Sequence, residues 1–246
     1  MIDIDRSGTA VTLTINRPER RNALNNAMYG ALADALVAAQ EDAACTSVIL
    51  TGAAGHFTAG NDIEEFQQAR GAEDSPALRF LRTLAGLDVP VIAAVEGTAV
   101  GVGVTLLQHC DFVFASGTAR FSMPFVALGL CPEGGSSLLL AQLVGPRRAA
   151  EWLLLGKGFT AEEAQEAGFI TAAVAAGAAL DAARAAALSL AAQPANALRV
   201  SKRLIRQPLR DSLSSTFDRE RDAFRERLQS TEAKVAFERF LSRRKS

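Results

Sequence analysis

Hydrophobic positions follow two periods along this chain. Ile2 and Ile4, then Val11, Leu13 and Ile15, alternate with polar residues on either side of Ser7-Gly8 and predict an antiparallel hairpin. Leu32, Leu36 and Val37 recur at helical spacing and predict a helix to about Ala43, with Asn25 or Asn26 as its cap. Residues 47–52 and 89–95 are short apolar runs with the β-branched content of buried strands. Each run passes through a glycine-rich turn into a helical segment. The first turn covers 53–60 and leads into a helix from Asn61-Asp62 that carries Ile63 and Phe66; the second breaks at Gly97 and opens a helix over 102–107 at Gly101 and Gly103. Val48 and Val91 are 43 residues apart, and Gly60 and Gly101 are 41 apart. Two copies of one strand–turn–helix unit predict a spiral of repeating units, in which the N–H groups beside Gly60 and Gly101 converge on one point.

The polar loop 71–76 is expected to be mobile and to border a binding cleft. A helix over 76–87 has apolar positions at 78, 81 and 84, and residues 111–115 and 120–122 read as short strands. Pro146 follows Gly145 at the first position of a helix that carries Trp152. Thr160-Ala161-Glu162-Glu163 is a capping box, opening a helix that stops at Gly168. The alanine-rich stretch 172–192 predicts a helix with a break at Gly177, and another helix spans 195–206 before Pro208. Beyond Ser212, the residues Leu213, Phe217, Phe224, Leu228, Val235, Phe237 and Leu241 form the apolar stripe of a charged helical tail. That stripe must bury on the core or on a second subunit. No flexible linker precedes it, so the chain divides into a core, 1–195, and a helical appendage, 196–246, expected to serve oligomerisation.

Composition narrows the partners. Against 27 Asp and Glu stand 26 Lys and Arg, a net charge of −1 over 246 residues, so no basic surplus exists for a nucleic-acid backbone. No run of 18 apolar residues is available to span a membrane. Residues 1–6 lack the pattern of a secretory leader, and Cys45, Cys110 and Cys131 are odd in number and widely spaced, as reduced thiols are. A cytoplasmic protein is expected.

The stretch 89–137 concentrates the candidate chemistry. A strand feeding a glycine turn feeding a helix leaves unpaired backbone N–H groups at the helix start, a ready site for an oxyanion. Cys131-Pro132-Glu133-Gly134-Gly135 then places one carboxylate at the mouth of the next helix, with Phe125, Val126, Leu128, Leu130, Leu138 and Leu139 nearby in sequence. Burial there raises a carboxyl pKa and the helix N-terminus lowers it; the sequence leaves both open. Backbone donors plus one acid suit proton abstraction beside a carbonyl. Serine-hydrolase elbows, phosphate loops and dinucleotide fingerprints are missing, and the two histidines, His56 and His109, form no zinc motif, so neither metal nor cofactor is expected. His109 reads as a packing or capping residue, His56 as a loop residue and Asp62 as a helix cap, while Arg17, Arg20 and Arg21 form a basic loop that is either solvated or turned to phosphate.

Through Arg17-Pro18, Asn22-Ala23-Leu24, His56-Phe57-Thr58-Ala59-Gly60-Asn61-Asp62, the central stretch and 160–170, in that order, the chain resembles the crotonase superfamily, also called enoyl-CoA hydratase/isomerase. The resemblance implies an α/β fold, a spiral of repeated ββα units with a helical C-terminal region that assembles trimers or hexamers. It implies acyl-CoA substrates whose thioester enolate is held by two backbone N–H groups, here those of Asn61 and Val102. It also implies contacts to CoA near Ala23, Ala59, Gly60, Asp62, Ile63 and Gly101, with no cofactor beyond the CoA of the substrate. The two glutamates of the hydratases fall on Thr105 and Phe125, and neither side chain can act as a base. Residues 59–62, 124–129 and 132–137 are instead similar to the Δ3,Δ2-enoyl-CoA isomerases of the peroxisomal type and their bacterial relatives. That similarity implies Glu133 as the base, taking the C2 proton and returning it at C4. A hydratase that recruits Glu133 for water, and a non-catalytic trimer that binds CoA thioesters or serves as a scaffold, are the alternatives.

Overall fold

The computed structural model describes residues 1–66 and 74–243. Residues 71–73 of the polar loop lie outside the described residues, as do the side chains of Phe66 and Leu241. Strands β1 (Ile2–Ser7) and β2 (Ala10–Ile15) form the hairpin. Helix α1 (Asn26–Glu41) begins at Asn25, whose side chain accepts from the Met28 N–H at 2.9 Å. The first repeat is β3 (Ser47–Gly52) and α2 (Ile63–Phe66). Helix α3 (Pro76–Gly86), capped by Ser75, leads into β4 (Val91–Val95), β5 (Thr98–Val100) and α4 (Val102–Thr105), which a tighter turn extends over Leu106–His109. There follow β6 (Phe112–Ser116), β7 (Arg120–Ser122), α5 (Ser136–Val144), α6 (Pro146–Leu154), β8 (Phe159–Thr160), α7 (Ala161–Glu166) and β9 (Ala172–Val174). The chain closes with α8 (Ala179–Ala191), α9 (Ala195–Arg206), α10 (Arg210–Gln229) and α11 (Thr231–Arg243). None of the described helices is long and apolar enough to cross a membrane.

The main sheet runs β1-β2-β3-β4-β6-β9, parallel apart from the hairpin, and β5-β7-β8 make a second, smaller sheet. Val48 lies opposite Val91, so the repeat in the sequence is the register of the sheet. Strands β3 and β4 are covered on both faces, which is why they read as continuous apolar runs rather than alternating ones. Leu13, Val48, Leu50, Val91 and Ala93 join a core with Leu32, Leu36 and Leu84 of α1 and α3. On the opposite face Ile49, Ile92 and Ala94 meet Ala179, Ala183 and Ala187, small residues one helical turn apart that let α8 lie close to the sheet.

Two expectations are corrected. Residues 172–174 are strand β9 rather than helix, because they complete the sheet edge beside β6, and pairing there outweighs alanine's preference for helix. The turn after β4 is itself partly strand: β5 pairs with β7 and starts the second sheet.

The tail buries its stripe on this chain's own core. Phe217 and Phe237 are 3% exposed within the main core, and Leu213, Phe224 and Leu228 are half-buried against that core, while Val235 is 46% exposed. Phe217 stacks on His109 with ring centroids 5.8 Å apart, and the Arg82 guanidinium lies 5.2 Å from the Phe217 ring. Ion pairs fasten the preceding helices: Lys202 Nζ donates to Asp111 at 2.6 Å and to the Val89 carbonyl at 2.9 Å, and Arg203 and Arg210 both pair with Asp88. Val235 apart, the described part of the stripe is buried within this chain, so its apolarity gives no argument for oligomerisation. Phe217→Ala should therefore cost about 3–5 kcal/mol in urea melts, and Val235→Ala within about 0.5 kcal/mol. Both values should hold across a dilution series, since the contact is within one chain; a cost at Phe217 that vanishes on dilution would contradict this packing.

Candidate active site

The site begins at a strained corner. Arg21 and Asn22 have φ of 50° and 59°, and Asn22 is fully buried. The Asn22 Oδ1 accepts from the Arg17 N–H at 2.9 Å, and its Nδ2 donates to the Ala53 and His56 carbonyls at 2.8 and 2.6 Å. These bonds hold the loop after β3 against the loop before α1. Leu24 then bridges to Asn61 in parallel fashion: the Leu24 N–H donates to the Gly60 carbonyl and the Asp62 N–H to the Leu24 carbonyl, both at 2.8 Å. Because Leu24 bonds the residues flanking Asn61, the N–H of Asn61 itself points to the opposite edge. Its side chain is held as well, since the Tyr29 hydroxyl donates to Asn61 Oδ1 at 2.6 Å.

On that opposite edge lies the second turn. Thr58 bridges in parallel to Ala99, with N–H to carbonyl bonds of 3.0 Å to Thr98 and 3.1 Å from Val100. This pairing brings Gly60 alongside Val100, the residue before Gly101. Gly60 has φ of 90°, and a Cβ there would stand 2.7 Å from the Val100 carbonyl oxygen, so the approach needs glycine. Val102 opens α4 after Gly101, which offers no side chain to cap it, and an N–H in the first turn has no acceptor within the helix. The two glycine turns paired by sequence spacing are neighbours in space.

Glu133 reaches this place through Thr105. The Thr105 hydroxyl, one turn on from Val102, donates to Glu133 Oε1 at 2.6 Å and lies 3.3 Å from the Val102 carbonyl. Gly134 and Gly135, with φ of 69° and 79°, turn the chain into α5; a Cβ on Gly134 would stand 3.0 Å from the Thr105 hydroxyl. Burial pushes the Glu133 carboxyl up from 4.5 to about 7, the Thr105 hydroxyl pulls it down, and the Glu220 charge pushes it up further. Burial outweighs the one hydroxyl donor, so the carboxyl lies on the raised side of the two effects weighed from the sequence. His109 Nε2 is 2.8 Å from the Gly134 carbonyl, and burial lowers the ring's pKa to about 4, so a neutral imidazole donates there. Its place is the packing and capping one expected.

Other predicted residues are placed as follows. Asp62 is engaged by Arg17 Nη1 at 2.6 Å, and the same nitrogen donates to the Ala23 carbonyl at 3.2 Å, so Arg17 is turned inward rather than to phosphate. The Ala59 N–H donates to the Arg21 carbonyl at 3.0 Å, which brings residues 21–24 alongside 58–62, with Ile63 next in chain. Arg20 and Arg21 are exposed. Glu96 accepts from the Gly177 and Ala179 N–H groups at 3.2 and 3.1 Å, at the start of α8, and so is a capping acid. His56 Nδ1 lies 3.5 Å from the Thr98 hydroxyl, as a loop residue. Thr105 and Phe125 are buried.

Two contributors escaped the sequence reading. Tyr29 orients Asn61. Glu220 of α10 accepts from the Gly135 N–H at 2.6 Å, the Ser137 N–H at 2.8 Å and the Ser137 hydroxyl at 2.5 Å. The signal for Glu220 was its position, three residues after Phe217 and four before Phe224, an acid on an otherwise apolar face.

Parallel repeats that close on paired glycine turns, with a buried acid one side chain away, define a crotonase-type spiral. The profile of the family described as enoyl-CoA hydratase/isomerase matches residues 5–246, and the chain belongs to that family. The 1,2-epoxyphenylacetyl-CoA isomerase of Escherichia coli strain K12 is 37% identical over 95% of this chain and 92% of its own. Enoyl-CoA delta isomerase 2 of Rattus norvegicus is 34% identical over 98% of this chain and 63% of its own, and other relatives carry hydratase names. The solved structure of Pseudomonas aeruginosa OdaA superposes with a TM-score of 0.94 at 43% identity, covering 97% of this chain and 98% of that one.

The raised acid has a measurable consequence. Between pH 4.5 and about 7 the unfolded chain releases the Glu133 proton while the folded chain keeps it, so this group's contribution to stability falls as pH rises through that window. Glu133→Gln removes the fall. The stability of the variant relative to wild type should rise by on the order of 3 kcal/mol from pH 4.5 to 7.5 in denaturant titrations. Parallel stability curves for the two proteins would show that Glu133 ionises normally.

Proposed function

We propose that the protein is a Δ3,Δ2-enoyl-CoA isomerase, acting on acyl-CoA thioesters with no cofactor beyond the CoA of the substrate. The observation that carries this reading is Glu133: a buried acid poised near neutrality and held by Thr105 one turn from the Val102 N–H. In the proposed mechanism the thioester oxygen lies between the N–H groups of Asn61 and Val102, and the developing enolate charge strengthens both bonds, at about 3–4 kcal/mol per donor. Glu133 takes the C2 proton and returns it at C4, moving the double bond from position 3 to position 2. A pKa near 7 suits both halves of that shuttle, because the same group must accept and then release a proton at working pH. The backbone around Ala23, Ala59, Gly60, Asp62, Ile63 and Gly101 would line the path of the CoA arm. A homotrimer or hexamer belongs to the same reading, with sedimentation as its measurement.

Against hydration stand the buried Thr105 and Phe125, which leave one carboxylate where that reaction uses two. Asp62, next to Asn61, and Glu96, next to Gly97, are already engaged by Arg17 and by the start of α8. Wild type should isomerise 3-hexenoyl-CoA and hydrate crotonyl-CoA poorly. Glu133→Gln should lower isomerisation kcat by at least about 100-fold with little change in KM. Thr105→Glu with Phe125→Glu should raise hydration, provided a circular-dichroism melt shows the double variant folded. Efficient hydration by wild type that persists in Glu133→Gln would defeat the isomerase reading.

A further inference from the structure

Glu220 stands 85 residues from Gly135 in sequence and takes no part in the proposed proton shuttle, yet it is 7% exposed and receives three donors from the turn that carries Glu133. Everything around that turn is fitted to α10. A Cβ on Gly135 would stand 2.6 Å from Leu213 Cδ1, and Phe217 stacks on the His109 that donates to Gly134. We propose that Glu220 is a positioning residue for Glu133: it fixes the Glu133-Gly134-Gly135 turn at the mouth of α5 and sets a second negative charge beside the buried acid.

The inference rests on the isomerase reading for its kinetic consequence and on geometry for the rest. A helix N-terminus normally favours the ionised form of an acid placed there. Here the amide donors of Gly135 and Ser137 go to Glu220 instead, so Glu133 is deprived of them and faces a like charge, and both effects favour its protonated form. The other groups near Glu133 do not replace Glu220 in this part. From α4 comes the uncharged Thr105 hydroxyl, and from the turn after it the neutral His109, bonded to Gly134. Within its own turn lies Cys131, whose thiol burial pushes up to about 11, so it too is neutral. On α10 itself Arg227 donates to the Gly129 carbonyl at 3.0 Å, and Arg82 of α3 pairs with Asp74 and Asp218; Lys202 and Arg206 from α9 pair with Asp111. Glu220 is the charge that bears on Glu133 directly.

The test uses Glu220→Gln, which keeps an acceptor oxygen and removes the charge. The acidic limb of the kcat/KM profile for 3-hexenoyl-CoA should move to lower pH by roughly half a unit to one unit, with KM unchanged at pH 8. The 13C resonance of the Glu133 carboxyl should titrate lower by the same amount. A residue that only caps α5 would lower Tm and leave both titrations where they are in wild type, and that result overturns the proposal. Should Glu220→Gln fail to fold, the wild type decides: the Glu133 titration must appear as a second inflection in the Glu220 carboxyl resonance, and a single inflection refutes the coupling. Because the resonance is read without turnover, failure of the isomerase reading would show separately, as activity retained in Glu133→Gln.

Discussion

At Gly60 the backbone of one repeat comes so near the Val100 carbonyl of the next that no β-carbon fits between them. The rest of the site depends on that approach. It goes with the pairing of Thr58 with Ala99, which the register of β3 against β4 feeds directly. The alignment is held from below by hydrogen bonds rather than by apolar packing alone. The Gly60 N–H donates to the Thr58 hydroxyl at 3.1 Å, and that hydroxyl donates to the Asn22 carbonyl at 2.7 Å. Backbone groups have no rotamers to freeze, so the direction of these N–H groups is set by the fold itself.

Against this rigid pair of turns the Glu133 turn is built from opposing forces. Removing a carboxylate from water favours its neutral form, one hydroxyl donor favours its charged form, and burial prevails. The cations of the C-terminal helices do not offset that burial: Lys202, Arg203, Arg206 and Arg210 are committed to Asp88, ahead of β4, and to Asp111, ahead of β6. Keeping them there ties the C-terminal helices to the central strand while leaving the buried acid unneutralised.

The repeat was legible because its signal is periodic: two apolar runs at a spacing close to that of the two glycine turns, and the spacing became the register. The capping box at Thr160, the proline at the head of α6 and the Asn25 cap were legible for a related reason, since each is a local bond between residues three positions apart or fewer. Strand β9 was not legible, because Ala172-Ala173-Val174 has no preference strong enough to announce an edge that only β6 supplies. Glu220 and Tyr29 were not legible either, because each acts on a residue far away in sequence and its own neighbours look ordinary. The ion pairs of α9 had the same difficulty: Lys202, Arg203 and Arg206 meet Asp88 and Asp111, which lie far from them in sequence.

The 85 residues between Gly135 and Glu220 bear on the order in which the molecule is made. Residues 1–144 contain both glycine turns, Thr105 and the acid, and a polypeptide growing from its N-terminus can form the register of β3 and β4 while α10 is still unsynthesised. The Gly135 and Ser137 amides then face water, and Leu213 and Phe217 are not yet there to close over Gly135 and His109. Residues 210–229 must emerge and dock before Leu213, Phe217 and Glu220 take their places against the Glu133 turn. The two glycine turns are thus available before α10 is made, and the environment of the acid is completed only once α10 has been synthesised.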